Sequence, residues 1–241
     1  MKALGVTLDC MTARDVFVVI PAYNEREALA QTLAELEPYG YSIVVVDDGS
    51  AIPEIEYIRT PVSSPIWYLR HITNLGAGAA VQTGTEFALF KGASVIVHFD
   101  ADGQHIASQI ERLIEPIRQG TCDVVMGSRF IDTYDRKLVP LKKRILLRAG
   151  IVVSWLFTGM WLTDTHNGFR ALSRNAAKHI KLVENGYAHC TEILGQIRKS
   201  KVRYMEMPTT VRYTSHSVAK GQSMFNSVNI FIDLMVQKIL R

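Results

Sequence analysis

The sequence has few of the features that mark secreted, disulfide-stabilised or membrane-spanning proteins. Its 241 residues include only three cysteines, which lie far apart and form no Cys-x-x-Cys pair, so neither a disulfide framework nor a zinc site is expected. The N-terminus has no apolar run followed by a small-residue cleavage site, and no stretch reaches the roughly 20 apolar residues of a membrane span. We therefore expect a cytoplasmic protein without a spanning helix.

Excess charge of one sign is also scarce. The 27 basic and 23 acidic residues give a net charge of +4, which is too small to indicate nucleic-acid binding, and we predict no nucleic-acid partner. Internal repeats and low-complexity segments are absent. Apolar residues make up 48% of the chain and charged residues 21%, a balance typical of a packed globular core in one large domain or two small ones.

Short apolar runs alternate with helical patterns over the first half of the chain. Buried strands are predicted at residues 16–20, 43–46, 67–69, 95–99 and 124–127, and helices at 24–36, 77–90 and 107–119. Such alternation indicates βαβ units and a parallel sheet, so we predict the α/β class. Ligands of parallel sheets bind beyond the carboxyl ends of the strands, and polar clusters follow several of these runs.

The most informative polar cluster follows the fourth predicted strand. Asp100 and Asp102 are spaced i, i+2, and side chains with this spacing share one side of an extended chain. Two carboxylates held close together repel each other, and a hard cation such as Mg²⁺ or Mn²⁺ relieves that repulsion while sharing its shell with substrate phosphates. An N-cap for a helix at Ala107 is the alternative, and it is less favoured because both carboxylates follow a buried strand.

Polar residues also follow the first, second and fifth predicted strands. The 47–50 segment, Asp-Asp-Gly-Ser, is explained equally well by a simple turn. Together with the 21–25 segment it forms an edge that can hold a planar base and a ribose, with a carboxylate accepting from their N–H or hydroxyl groups. Arg129 is either a solvated charge or a phosphate ligand, to which its forked guanidinium is suited.

One glycine-rich segment, residues 76–81, begins like a dinucleotide-binding fingerprint. The third glycine position holds Val81, and the segment follows the third strand rather than the first. A nicotinamide site is therefore not expected.

The ordered motifs at 18–25, 45–50, 99–105, 127–130 and 167–171 resemble those of the family 2 glycosyltransferases, in the branch of the dolichyl- and polyprenyl-phosphate mannose and glucose synthases. The resemblance covers roughly residues 16–223. It implies the GT-A fold of nucleotide-diphospho-sugar transferases, which is a three-layer sandwich around a mostly parallel central sheet. It also implies inverting transfer of a sugar from a UDP- or GDP-sugar, assisted by Mg²⁺ or Mn²⁺.

The resemblance further assigns roles to individual residues. It makes Asp102 and Gln104 the metal ligands and places Asp100 nearer the donor sugar or ribose. It links Arg129 to phosphate binding and puts Asp164 close to the transfer centre. The nucleotide-sugar pocket would be lined by residues from four loops, the last of them a mobile basic loop: Pro21, Tyr23, Glu25, Asp48, Gly76 and Lys220.

The composition changes near residue 135, where a basic cluster precedes an apolar stretch. A solvated helix face would explain the charges and a buried helix would explain the apolar residues, but together they indicate contact with a membrane surface. In the glycosyltransferase branch that the sequence resembles, this region binds the phosphate of the acceptor. By its position, Arg144 is the candidate for that contact. The stretch spans 151–162 and contains Trp155 and Trp161, and the basic residues are Arg136, Lys137, Lys142, Lys143, Arg144 and Arg148.

The acceptor is open at this point. A polyprenyl phosphate is already an anion and needs no base, whereas a hydroxyl of a glycan or lipid-linked saccharide requires one, for which Asp164 or Glu192 is a candidate. A non-catalytic scaffold that binds nucleotide-sugars is a further alternative. A nucleotidyltransferase is disfavoured because no glycine-rich, lysine-bearing loop follows the first strand.

These expectations divide the chain into three parts. Residues 1–15 form a leader and 225–241 an amphipathic C-terminal helix, and between them 16–224 form the glycosyltransferase domain. Its nucleotide-sugar half is 16–130 and its acceptor half is 131–224. The location expected is cytoplasmic, with peripheral contact at the inner membrane face.

Overall fold

The computed structural model describes residues 11–58, 64–133, 137, 139, 144, 151–152, 154–156, 158–186 and 188–212. Several sequence predictions lie outside these residues: most of the leader, the loop that contains Lys220, the 225–241 helix, and four of the six clustered basic residues, Arg136, Lys142, Lys143 and Arg148.

The fold is built on a seven-stranded sheet in the order β3-β2-β1-β4-β6-β5-β7. Within the described residues, every neighbouring pair of strands is parallel except the two pairs that involve β6. The carboxyl ends of the parallel strands therefore lie at one edge, which we call the site edge. The strands are β1 (Val16–Ala22), β2 (Ser42–Asp47), β3 (Ile66–Arg70), β4 (Val95–His98), β5 (Val124–Ser128), β6 (Arg170–Ser173) and β7 (Tyr204–Pro208).

Helices cover both faces of this sheet. The strand residues alternate between two buried clusters, one packed against α1 and α3 and the other against α2, α4 and α5. This arrangement and the mostly parallel sheet confirm the predicted three-layer α/β sandwich. The helices are α1 (Glu27–Leu36), α2 (Ala77–Phe90), α3 (Ile110–Arg118), α4 (Arg174–His179) and α5 (His189–Ser200).

Element boundaries differ from the sequence prediction at three places near the site edge. Helix α1 begins at Glu27 rather than at residue 24, because Asn24 and Arg26 adopt φ angles of 55° and 49° that no right-handed helix accommodates. The 107–119 helix is a 3₁₀ turn over Ala107–Gln109 followed by α3. Strand β4 ends at His98, one residue earlier than predicted.

Candidate active site

The loop that follows β4 brings Asp100, Asp102 and Gln104 together at the site edge. The chain has left the strand by Asp100 and turns at Asp102, so the two carboxylates meet through a turn and not through the extended i, i+2 geometry expected from the sequence. The turn includes Gly103 at φ 74°, a conformation that favours glycine. Asp102 accepts hydrogen bonds from the backbone N–H of Gln104, at 3.0 Å, and from its side-chain amide.

Asp100 is held by a buried histidine that the sequence analysis gave no role. His105 Nε2 donates to Asp100 Oδ2 over 2.9 Å, while the Nδ1 atom of the same ring is buried without a hydrogen-bond partner. The ring stacks on Phe169 at a centroid distance of 4.9 Å and meets Phe99 edge-on at 5.3 Å. The imidazole is therefore fixed by packing, and it orients a carboxylate whose own side chain is 46% exposed.

The Asn-Gly-Phe-Arg motif at 167–170 completes this support. A Cβ atom on Gly168 would lie 2.8 Å from Asp100 Oδ2, so only glycine lets the chain pass this close to the carboxylate. On its other side the same segment reaches the end of β5, because Gly127 N donates to the carbonyl of Phe169 over 2.9 Å. The motif therefore links the loop that follows β4 to β5, the strand that Arg129 directly follows.

The electrostatics of the loop suit a cation. Burial and the negative charge of Asp100 raise the pKa of Asp102. Partial burial would by itself raise the pKa of Asp100 as well, but the positive charges of His105, His189 and Arg170 outweigh it and lower that pKa. A divalent ion beside Asp102 relieves the repulsion between the two carboxylates.

The donor set also fits such an ion. In the part of the chain that the structure describes, no three His, Cys, Asp or Glu side chains converge to form a complete metal site. Asp102 could supply one hard oxygen ligand, and Gln104 could supply a second through its amide oxygen, with water and substrate phosphate in the other positions. This incomplete oxygen set is typical of Mg²⁺ and Mn²⁺ sites that are shared with a diphosphate.

At the end of β2, Asp48 organises the loop that the sequence analysis placed near the donor. The carboxylate is buried and accepts from the backbone N–H of Leu75 at 3.0 Å and of Gly76 at 2.7 Å, and it also contacts His71 Nδ1 at 2.7 Å. Gly76 has φ 108°, and a Cβ there would lie 2.3 Å from the carbonyl oxygen of Asn185. Asp48 and Gly76 thus shape one wall of the site.

A second wall is formed by the end of β1, which contains Pro21, and by the segment after it, which contains Tyr23 and Glu25. Tyr23 is exposed at the site edge. Glu54, which is fully buried and which the sequence analysis missed, holds the backbone here: it accepts from the N–H of Glu25 at 2.7 Å and of Arg26 at 2.9 Å. A single glutamate at the start of a 3₁₀ turn carries no sequence signal of such a role.

Arg129 and Asp164 form a buried ion pair rather than two separate groups. Arg129 donates through Nε to Asp164 Oδ2 at 2.6 Å and through a terminal nitrogen to Oδ1 at 2.7 Å. Glu206, on β7, accepts from the backbone N–H groups of Thr163 and Asp164, and burial raises the pKa of this glutamate. Asp164 therefore orients Arg129 at the end of β5, and both of its oxygens are engaged.

The other base candidate, Glu192, is also engaged. Its carboxylate accepts from the backbone N–H of Val183 at 3.0 Å and of Glu184 at 2.9 Å, and it contacts Gln196 on the next turn of α5. This geometry favours the structural role for Glu192.

Helix α5 begins with a histidine–cysteine pair. His189 Nε2 lies 3.6 Å from Cys190 Sγ. Burial raises the pKa of the Cys190 thiol, but the positive charges of His189 and Arg170 outweigh it, so the pKa falls to about 6.

The described residues of the 151–162 stretch present an aromatic pair to solvent. Trp155 and Trp161 meet edge-to-face at 5.7 Å and are 42% and 65% exposed, and Val152 and Leu156 beside them are exposed too. We call these four residues the tryptophan patch. Within the described chain, no helix combines the length and the apolar character that crossing a membrane requires.

Comparison with known proteins agrees with this geometry. The family model "Glycosyl transferase family 2" matches residues 17–181. The chain is 30% identical over 246 residues to the UDP-N-acetylglucosamine--dolichyl-phosphate N-acetylglucosaminyltransferase of Methanococcus voltae, covering 95% of this chain and 98% of that protein. It is 32% identical to the dolichol-phosphate mannosyltransferase of Pyrococcus furiosus, covering 91% of this chain and 63% of that protein.

A solved structure has the same fold. The glucosyl-3-phosphoglycerate synthase of Mycobacterium tuberculosis, in complex with Mn²⁺, UDP and glucosyl-3-phosphoglycerate, superposes with a TM-score of 0.61 at 15% identity, covering 98% of this chain and 85% of that one. Sequence motifs, GT-A fold and family match agree, and we conclude that the chain is a glycosyltransferase that belongs to family 2.

Proposed function

We propose that this enzyme transfers a sugar from a nucleotide-sugar to a polyprenyl phosphate, with inversion and with help from Mg²⁺ or Mn²⁺. The observation that carries the proposal is the convergence of Asp100, Asp102 and Gln104 on one loop, at the same sheet edge as the Asp48–Gly76 wall. In this proposal the edge binds the nucleoside of the donor, and the loop supplies oxygen ligands for an ion beside the diphosphate.

Each group has a defined task in a single displacement. An oxygen of the acceptor phosphate attacks the anomeric carbon of the sugar from the face opposite the diphosphate, and the bond to the diphosphate oxygen breaks. Asp102 and Gln104 would hold a divalent ion here, and such an ion would supply positive charge that stabilises the departing diphosphate. Asp100, oriented by His105, accepts a hydrogen bond from a hydroxyl of the donor. Arg129, oriented by Asp164, keeps a positive charge near the acceptor phosphate.

A phosphate acceptor fits the site better than a hydroxyl. A hydroxyl needs a general base, and the oxygens of both candidates are engaged, those of Asp164 by Arg129 and those of Glu192 by backbone N–H groups. A phosphate anion needs no base. The relatives named above act, by their names, on dolichyl phosphates, which supports the same choice.

The tryptophan patch supports a membrane-bound acceptor. Exposed tryptophans favour the interface between water and lipid, and the neighbouring part of the sequence is basic, which suits anionic headgroups. We propose that this face rests on the inner surface of the membrane, where the phosphate of the lipid reaches Arg129.

The test is an assay of the purified full chain with UDP-N-acetylglucosamine, UDP-glucose and GDP-mannose, each with and without polyprenyl phosphate and with Mn²⁺ or EDTA. We expect transfer from at least one donor only when lipid phosphate and metal are both present. Asp102→Asn should lose this activity, whereas Asp123→Asn, at the opposite edge of the sheet, should keep it. Transfer to hydroxyl acceptors alone, or full activity in EDTA, would refute the proposal.

A further inference from the structure

Helix α1 holds both ends of the loop that carries the proposed metal ligands. Thr32 Oγ1 donates to the carbonyl of Ala101 over 3.1 Å, and Glu35 Oε1 accepts from the N–H of Ala107 at 3.0 Å. Thr32 and Glu35 are three residues apart and therefore lie on the same face of the helix. Gln104 lies between the two anchored ends, in the part of the loop that α1 does not contact through these bonds.

The chain that follows β7 holds the middle of the loop. Residues 209–212, which we call the brace, leave the site edge at the end of β5, where Thr209 N donates to the carbonyl of Ser128 over 2.9 Å. Thr210 N then donates to Gln109 Oε1 at 3.1 Å, and Arg212 N donates to the carbonyl of Gln104 at 2.9 Å. The brace therefore crosses the loop and fixes the backbone of a proposed metal ligand.

A forked ion pair joins the brace to α1. Arg212 donates to Glu35 Oε2 at 2.7 Å and to Oε1 at 3.3 Å, and Glu35 is the same side chain that anchors Ala107. The two side chains are 48% and 31% exposed, so the pair adds little to global stability. Its effect is geometric, because it closes a ring of contacts around the loop.

We propose that Arg212 and Glu35 are positioning residues for the metal loop: their pairing keeps Gln104 and Asp102 in the binding arrangement before the ion and the donor arrive. This inference rests on the proposed function, because it assigns the support of the same metal site. In this role neither residue contacts the substrate. Both act through the backbone of Gln104 and of Ala107.

The first measurement is the Mn²⁺ concentration that gives half-maximal binding of UDP or GDP, whichever the wild-type enzyme binds, determined by calorimetry. Arg212→Gln and Glu35→Gln should each raise it roughly tenfold, the lower end of what loss of an outer-shell partner costs. The double variant should need no more Mn²⁺ than the single variant that needs the most, because either change alone already breaks the Arg212–Glu35 pair. Arg203→Gln is the matched control: Arg203 forms a forked pair with Asp123 at the amino ends of β5 and β7, with side chains 59% and 21% exposed.

The second measurement is hydrogen exchange of residues 102–107 in the metal-free enzyme, with the melting temperature recorded in parallel. In the Arg212 and Glu35 variants, the backbone amides of residues 102–107 should exchange on the order of tenfold faster at an unchanged melting temperature. The Arg203→Gln control should match the wild type. Equal exchange and equal Mn²⁺ dependence in all variants would overturn the positioning role. If the wild-type enzyme binds no nucleotide in the presence of metal, the proposed function is refuted. The exchange data, which need no metal, would then still decide whether Arg212 and Glu35 position the loop.

Discussion

Replacing Gly168 by alanine tests the geometry of the site with a single methyl group. The added Cβ would lie 2.8 Å from Asp100 Oδ2 and 3.0 Å from Oδ1, whereas ordinary contact begins at 3.4 Å. The carboxylate must therefore move by about 0.6 Å, the difference between 3.4 and 2.8 Å. That movement strains the 2.9 Å bond to His105, whose ring cannot follow because it is packed between Phe99 and Phe169.

The expected loss is catalytic rather than structural. A misplacement of about 1 Å costs on the order of a hundredfold in rate, so a shift of about half that size should lower kcat/KM by roughly tenfold, or about 1.4 kcal/mol of transition-state stabilisation. The free energy of unfolding should change by less than about 1 kcal/mol, because the methyl group meets a side chain that borders solvent and alanine restricts the unfolded chain.

The assay is steady-state transfer to polyprenyl phosphate, with urea unfolding of the same samples. Gly195→Ala is the matched control, because a Cβ on this glycine, inside α5, would meet nothing within 4 Å. It should keep full activity and gain about 0.5–1 kcal/mol of stability. If Gly168→Ala keeps wild-type kcat/KM, Asp100 is not held in the way described and the reasoning fails.

Three further changes probe other contacts. Glu54→Gln places an amide donor against a backbone N–H and should lower the free energy of unfolding by about 1–3 kcal/mol, measured with urea. A loss below about 0.5 kcal/mol would contradict the role of Glu54 in holding the backbone that follows β1. His105→Phe keeps the aromatic stack but removes the bond to Asp100, so kcat/KM should fall by at least roughly tenfold while near-UV circular dichroism stays unchanged, and wild-type activity would be inconsistent with the orienting role. Because the thiolate is the reactive form, alkylation of Cys190 by iodoacetamide should rise with pH through a midpoint near 6, while Cys122, whose pKa burial raises, should stay unlabelled at neutral pH. Peptide mass spectrometry separates the two sites, and a Cys190 midpoint near the ordinary value of about 8.5 would argue against the influence of the adjacent histidine.

The central strands were predictable because the local residue composition alone indicates that they are buried. Val16–Ala22 and Ser42–Asp47 consist largely of β-branched residues, and only a strand covered on both faces explains such runs. Strand β6 was not predicted, because Arg-Ala-Leu-Ser has no apolar pattern and begins with an arginine. Its place is decided by antiparallel pairing with β4 and β5, an interaction between distant segments.

The same division applies to the site. Asp100 and Asp102 stood out in the sequence because they follow a buried strand directly. His105 lies only five residues from Asp100, but a lone histidine gives no sign of its role. Other supports of the site join distant parts of the chain: Arg212 is 177 residues from Glu35, and Glu206 is 42 residues from Asp164. No local pattern encodes such pairs.

The position of β6 between β4 and β5 has a consequence for the spacing of the site. Because β6 lies between β4 and β5, the backbone positions from which the proposed ion-binding loop and Arg129 depart are two interstrand spacings apart, roughly 10 Å. Main-chain hydrogen bonding sets this interval, so no exchange of side chains alters it. In the proposed reaction, a different donor sugar would therefore be accommodated by the turns that border the site, while the main chain keeps these two departure points at the same separation.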